Sequence, residues 1–228
     1  MKWKVQKMIK GSDLTNSQWE DINIHDDRSV ALRERLNLYL KERKTSNSIY
    51  RVVGSGKINI LQIYDSTMAD GIGLRTSVYF AGCNHQCPGC HNKESWDFKS
   101  GQEMDIEELA EQLIHSEDKG ITFSGGDPIY NIDVVIELAR RIKGKTDKTI
   151  WLYTGFTYDY IKKRMPEAEE LFEYIDFIVD GPFLSNMKDS NIRFRGSSNQ
   201  HIIRFDGKDV TNQIDSNPMI TEEELLTI

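Results

Sequence analysis

Three cysteines occur in the 228 residues, and all three fall inside an eight-residue window as Cys83, Cys87 and Cys90. A disulfide framework of a secreted protein uses an even number of cysteines and spreads them to close long loops. Three crowded thiols, one of them necessarily unpaired, point instead to metal ligands in a reducing compartment. A C-x3-C-x2-C loop presents three thiolates on one concave turn, and soft thiolates select iron–sulfur clusters or zinc. On a 4Fe–4S cube, three thiolates hold three corners and leave the fourth iron open to a substrate. The zinc alternative takes His85 or His91 as fourth ligand, although small zinc sites usually pair ligands from two separated knuckles.

Three further stretches could do chemistry. Ser124-Gly125-Gly126-Asp127-Pro128 follows a strand and precedes a helix. Two glycines let backbone approach a ligand closely, and a helix start offers free N–H groups to an anion; the plain alternative is a turn in which Asp-Pro caps the helix. Trp151-Leu-Tyr-Thr154-Gly155 and Val179-Asp180-Gly181-Pro182 close two later strands, where Thr or Asp commonly serves as a turn or cap residue. Arg193, Arg195 and the Gly196-Ser-Ser-Asn-Gln200 run form a donor-rich segment that alone reads as a solvated loop. His25, His115 and His201 share no site-like spacing. No Ser-His-Asp arrangement, Walker loop or HExxH occurs, so hydrolase and nucleotide-triphosphatase readings have no residues to carry them.

The elements that must position these residues alternate in type. Strands are expected at Ile58–Tyr64, Thr76–Phe80, Ile121–Ser124, Thr149–Thr154, Phe177–Val179 and His201–Phe205. Between them, Ile106, Leu109, Ala110, Leu113 and Ile114 mark an amphipathic helix over Asp105–Ser116. A second helix carries Ile132, Val135, Ile136 and Ala139, and a third spans Tyr158–Tyr174 with an interruption at Pro166. This alternation implies βαβ units and a mainly parallel sheet or partial barrel. Ligands of such folds bind beyond the carboxyl ends of the strands, where the cysteine loop, Gly125-Gly126, Thr154 and Asp180 all fall. Residues 1–49 read as a helical extension and linker. Thr15-Asn-Ser-Gln18 resembles a capping box before a short helix containing Trp19, Asp26 and Asp27 open a helix with Val30, Leu32, Leu36 and Leu40, and Lys41–Ser48 reads as linker.

The cysteine spacing is the signature of the radical S-adenosylmethionine enzymes, and the flanks narrow the resemblance. Asp70-Gly-Ile-Gly73-Leu-Arg75-Thr76-Ser-Val-Tyr-Phe80-Ala-Gly82-Cys83 resembles the strand leading to the cluster in glycyl-radical-enzyme activating enzymes. Cys87-Pro-Gly-Cys90-His-Asn92-Lys-Glu-Ser-Trp96 and Arg195-Gly-Ser-Ser-Asn-Gln200 resemble the branch that activates anaerobic ribonucleotide reductase. The resemblance covers Ile58 to Phe205 and implies an α/β fold of the radical S-adenosylmethionine type, a partial (βα) barrel over residues 50–228. It departs at Gly89, where many members carry an aromatic that packs on adenine and where His91 is the nearest substitute, and at Ile72, which replaces a common proline.

What the resemblance implies is specific. Cys83, Cys87 and Cys90 would hold one 4Fe–4S cluster, and S-adenosylmethionine would meet Gly89, Cys90, His91, Gly125, Gly126, Asp127, Thr154 and Asp180, the last two beside a monovalent cation. The 5′-deoxyadenosyl radical would take hydrogen from a backbone glycine of a partner reductase. Three cysteines build no second cluster, so the electron would come from an external donor such as a flavodoxin. Two rivals stay open: another radical S-adenosylmethionine enzyme (an activase of a different glycyl-radical enzyme, or one like the deazaguanine synthases) and a zinc-stapled protein-binding adaptor. The first 49 residues have no counterpart in the resembling core; docking the partner, covering the open side and adding stability are all compatible with them.

Composition sets outer limits. Twenty-nine basic against 36 acidic residues give −7, which argues against sequence-independent nucleic-acid binding, since that needs a basic surface to displace counterions. The longest apolar runs are a handful of residues, far below the roughly 18 needed to cross a bilayer, and the first ten carry no apolar leader core. A cytoplasmic protein is the resulting expectation.

Overall fold

The computed structural model describes residues 2–10, 18–26, 28–42, 50–165 and 168–227. The chain opens with strands β1 (Lys2–Lys10) and β2 (Gln18–His25), helix α1 (Arg28–Glu42) and strand β3 (Tyr50–Ser55). Strands β4 (Lys57–Thr67), β5 (Arg75–Phe80) and β6 (Gln102–Asp105) lead to helix α2 (Ile106–His115) and strand β7 (Gly120–Gly125). Helix α3 (Ile132–Lys145), strand β8 (Thr149–Tyr153) and the short helices α4 (Tyr158–Arg164) and α5 (Ala168–Phe172) follow. Strands β9 (Phe177–Asp180) and β10 (His201–Arg204) and helices α6 (Thr211–Ser216) and α7 (Glu222–Thr227) complete it.

Seven strands form one sheet in the order β10-β9-β8-β7-β5-β4-β6. The neighbours β5–β7, β7–β8 and β8–β9 are parallel, whereas β4–β5, β4–β6 and β9–β10 are antiparallel. The α/β class is as the sequence implies, but a mainly parallel sheet is not. The parallel part is the four-strand centre, because only there does a helical crossover connect consecutive strands. Strands β4 and β5 are joined by the turn at 68–74 and pair as a hairpin, which the alternation of strand and helix did not reveal.

The pleat assigns each central strand two faces. Val78, Phe80, Ile121, Phe123, Ile150, Leu152 and Ile178 point to one side and share a buried core with the apolar stripes of α2 and α3. Asp105 starts α2 by accepting the N–H of Glu107 at 2.8 Å, which lays Ile106, Leu109, Ala110 and Leu113 on that core. Trp151, Phe177, Val179 and Ile202 point to the other side and pack with Val210, Ile214, Ile220 and Leu225 from the C-terminal segment. That second face is more polar towards β5, carrying Arg75, Ser77 and Tyr79, and it leads up to the cysteine loop.

The N-terminal extension is not simply helical. Gln18–His25, read as containing a short helix, is strand β2, and it pairs with β1, which in turn pairs with β3. Its Ile22-Asn-Ile24 alternation has period two, and the partner strand outweighs the weak capping signal, whose Thr15, Asn16 and Ser17 lie outside the described residues. Helix α1 is present where expected, with Ala31 buried against Trp3 and Val5; the side chains of Leu32, Leu36 and Leu40 are outside the described set, as are residues 43–49 of the expected linker. Strands β1 and β6 and helices α6 and α7 are further elements that sequence pattern did not mark. No helix among the described residues is long and apolar enough to cross a membrane.

At the amino ends of the parallel strands, Arg75 is fully buried. Its guanidinium donates to Thr122 Oγ1 (2.8 Å), the carbonyls of Ile121 (2.8 Å), Ile72 (3.1 Å) and Thr149 (3.1 Å), Thr149 Oγ1 (3.1 Å) and Glu222 Oε1 (2.5 Å). Burial pulls its pKa down and the Glu222 carboxylate opposes this. Glu222 also accepts from Thr149 Oγ1 and Trp151 Nε1, both at 2.6 Å, and so fastens α7 to β8. Removing one partner of such a pair strands a buried charge. The variant E222A is expected to lose about 3 kcal/mol of stability in urea unfolding, and a loss under 1 kcal/mol would show that α7 is held by its apolar contacts alone.

Candidate functional site

The loop that follows β5 is closed on itself by backbone. Ala81 N–H donates to Asn59 O (3.0 Å), Gly82 N–H to Ser95 O (2.8 Å) and Cys83 N–H to Trp96 O (3.2 Å), so the way in is paired with the one-turn helix at Lys93–Trp96 on the way out. Between these points Gln86 (φ 47°) and Gly89 (φ 81°) take left-handed conformations, and Cys90 N–H donates to Cys87 O (3.0 Å) across Pro88-Gly89. The chain therefore turns back and presents its three cysteines to one cavity of about 340 Å³.

Gly125 and Gly126 form the neighbouring rim. A Cβ at Gly125 (φ 101°) would lie 2.4 Å from Phe80 N, and one at Gly126 would lie 2.5 Å from Gly82 O. Gly126 N–H donates to Phe80 O (2.8 Å), Asp127 N–H to Gly82 O (2.9 Å) and Asn92 Nδ2 to Gly125 O (3.1 Å). Both glycines thus serve the close approach of two strand ends, and both also line the cavity.

Of the residues singled out from sequence, Cys83, Cys87, Cys90, His91, Gly125, Gly126 and Thr154 line this one cavity. Gly89, Asp127 and Asp180 do not. Gly89 faces Phe183 and Ser185. Asp127 is buried behind the rim, where Oδ1 accepts Ile129 N–H (3.0 Å) and Oδ2 accepts Thr154 Oγ1, Gly155 N–H and His85 Nε2, each at 2.9 Å. Asp180 accepts the Tyr158 N–H at 2.7 Å and the His201 N–H at 3.2 Å, joining the start of α4 to β10.

Residues 69–203 match the family model described as a 4Fe-4S single cluster domain. The anaerobic ribonucleoside-triphosphate reductase-activating protein of Haemophilus influenzae is 34% identical over 157 residues, covering 65% of this chain and 99% of the relative. The protein of the same description from Vibrio cholerae is 37% identical over 158 residues, with the same coverage. That of Escherichia coli K12 is 34% identical over 152 residues, covering 63% of this chain and 96% of the relative. The chain belongs to the family of anaerobic ribonucleoside-triphosphate reductase-activating proteins.

A 4Fe–4S cluster fits the residues that this activating-protein fold brings together. Among the described residues, no three His, Cys, Asp or Glu side chains converge tightly enough for a single metal ion. A cubane cluster needs no such convergence, because each thiolate binds a different iron. Burial raises the pKa of the Cys83 thiol, opposed by hydrogen bonds from the backbone of His85 and Gln86; bound iron would hold the sulfur as thiolate regardless.

Sequence reading missed part of the wall. Asp70, Tyr79, Tyr153, Phe183 and Phe194 line the cavity with Arg195 and Gln200. Asp70 accepts the Tyr79 hydroxyl at 2.9 Å, and burial pushes the pKa of Tyr153 well up. The buried Tyr153 hydroxyl has no hydrogen-bond partner. The signal available was period two: Ser77/Tyr79 and Trp151/Tyr153 are the positions of β5 and β8 opposite the helix-covered core. Alanine at Gly125, with its backbone clash and positive φ, is expected to cost about 2 kcal/mol or more. Alanine at Gly144 in α3, where nothing lies within 4 Å, should be neutral to slightly stabilising. Equal denaturation midpoints for G125A and G144A would contradict the close-packed rim.

Proposed function

We propose that this chain activates an anaerobic ribonucleotide reductase by generating a glycyl radical on it. Cys83, Cys87 and Cys90 would each bind one iron of a 4Fe–4S cluster and leave the fourth iron to the amino and carboxylate groups of S-adenosylmethionine. When bound, such a cluster supplies the electron that splits the sulfonium into methionine and a 5′-deoxyadenosyl radical, which takes hydrogen from a backbone glycine of the reductase. The observation that carries this reading is the sharing of one cavity by three thiols and the Gly125-Gly126 rim, in a chain whose relatives are named as activating proteins.

Gly125 and Gly126 would let a ligand lie against backbone, and Thr154 forms the wall beside them. His91, Phe183 and Phe194 offer flat surfaces for adenine, in place of the aromatic that Gly89 lacks. A second groove of about 710 Å³ shares Ala69, Asp70, Tyr79, His91 and Asn92 with the cysteine cavity and extends to Tyr64, Thr67 and Glu94. It is the natural approach for a glycine-bearing loop of the reductase. The electron would be delivered by another protein of flavodoxin type, because no cysteine remains for a second cluster. In this reading residues 50–228 form a radical S-adenosylmethionine domain working in the cytoplasm, and the central strands with their outer helices correspond to a partial (βα) barrel.

The experiment is anaerobic reconstitution followed by mixing with a glycyl-radical reductase subunit, S-adenosylmethionine and a reductant. The wild-type chain should bind iron and acid-labile sulfide in equal amounts and produce the doublet of a glycyl radical by electron paramagnetic resonance. C83A, C87A and C90A should each lose the doublet and most of the iron. Stoichiometric zinc without sulfide in the wild-type chain would falsify the proposal.

A further inference from the structure

Asp127 raises a problem of capacity. Its carboxylate, 1% exposed, already accepts four hydrogen bonds, one on Oδ1 and three on Oδ2. An ionised carboxylate offers about four lone-pair sites, two on each oxygen, so Oδ2 is fully used by the protein, and the side chain is outside the cavity lining. The donors come from three separate segments: its own turn, the end of β8 at Thr154-Gly155, and His85 in the middle of the cysteine loop.

His85 lines the cavity, and is held from behind. Its ring packs edge-on against Phe156 at 4.5 Å and near Tyr130 at 5.5 Å. Gly155 has to be glycine here, since a Cβ would sit 2.5 Å from the imidazole. The backbone N–H groups of His85 and Gln86 pull the pKa of the Cys83 thiol down against the effect of its burial. Fixing the imidazole therefore fixes the middle of the loop, two residues from Cys83 on one side and from Cys87 on the other, and the surroundings of cluster sulfurs tune reduction potential.

We infer that His85 is a positioning residue: its Nε2 bond to Asp127 Oδ2 braces the Cys83–Cys87 turn against the ends of β7 and β8, and Asp127 serves this brace instead of contacting S-adenosylmethionine. The inference deepens the function proposed above and rests on it only for its consequences in the loaded protein. Groups that orient metal ligands from behind typically change metal affinity or activity 10- to 100-fold when removed.

The test compares H85L, H85Q and H85N in the full-length chain. Glutamine puts its amide nitrogen near the place of Nε2, whereas asparagine puts it near Nδ1. In the cluster-free chain, Cys83 and Cys87 should be alkylated by iodoacetamide about tenfold faster in H85L and H85N than in wild type, with H85Q restored to within about threefold. In the reconstituted chain, H85L and H85N should shift the cluster's reduction potential and need about tenfold more S-adenosylmethionine to perturb the reduced-cluster resonance spectrum, and H85Q should again be near normal. Wild-type alkylation and titration in H85L overturn the brace. So does equal behaviour of H85Q and H85N, which decides the matter even if H85L does not fold. Should the wild-type chain bind no cluster, the proposed function fails while the alkylation arm still decides the brace.

Discussion

The carboxylate of Asp127 is the constraint around which the site is organised. A desolvated charge in a protein interior is tolerated only when its lone pairs are met by donors, and these donors must be brought from segments that are distant in sequence. Thr154 and Gly155 come 27 and 28 residues later, His85 comes 42 residues earlier. Satisfying all of them requires β7 and β8 to end at the same level with the cysteine loop folded over both. The glycines follow from this. Gly82, Gly125, Gly126 and Gly155 stand where a methyl group would meet Phe98, Phe80, backbone of Gly82, or His85, because three chain segments converge on one small volume.

Arg75 plays the opposite part at the other end of the same strands. There a buried cation gathers acceptors from β7, β8, the turn before β5 and the C-terminal helix. The parallel centre of the sheet is thus clamped by an anion at its carboxyl ends and a cation at its amino ends. Between the clamps the two faces diverge in character. One is continuous aliphatic and aromatic core under α2 and α3; the other changes from Trp151 and Phe177 to Tyr79 and Tyr153 as it rises towards the cysteines. The candidate site lies at the upper end of this second face, beyond Tyr79 and Tyr153.

What could be read from sequence was local. The cysteine triplet, the Gly125-Gly126 turn and the stripe of α2 are each encoded within about a dozen residues, and each is found where expected. What could not be read was set by pairing across long separations. Strand β6 is four residues with no apolar pattern and exists because Lys57–Ile60 offers it an edge. Helix α7 is six residues, too short to hold by propensity, and is placed by a glutamate that answers an arginine 147 residues away. His85 was legible only as one more potential ligand, since nothing in Asn84-His85-Gln86 announces a buried carboxylate waiting 42 residues on. The β2 segment was misread for the same reason: its partner β1, itself paired with β3, makes it a strand where its own polar sequence does not announce one.

The N-terminal unit shows how an added sheet is fastened to the helix layer. Residues 1–68 precede the matched family model, and the three-stranded sheet they contain is tied to the rest through β3, which runs by way of Gly56 into β4. Arg141 of α3 donates to Gly54 O at 3.2 Å while also pairing with Glu137 and Glu107, so β3 is fixed to the outer side of α2 and α3. Among the described residues this attachment thickens the layer that backs the aliphatic face of the sheet.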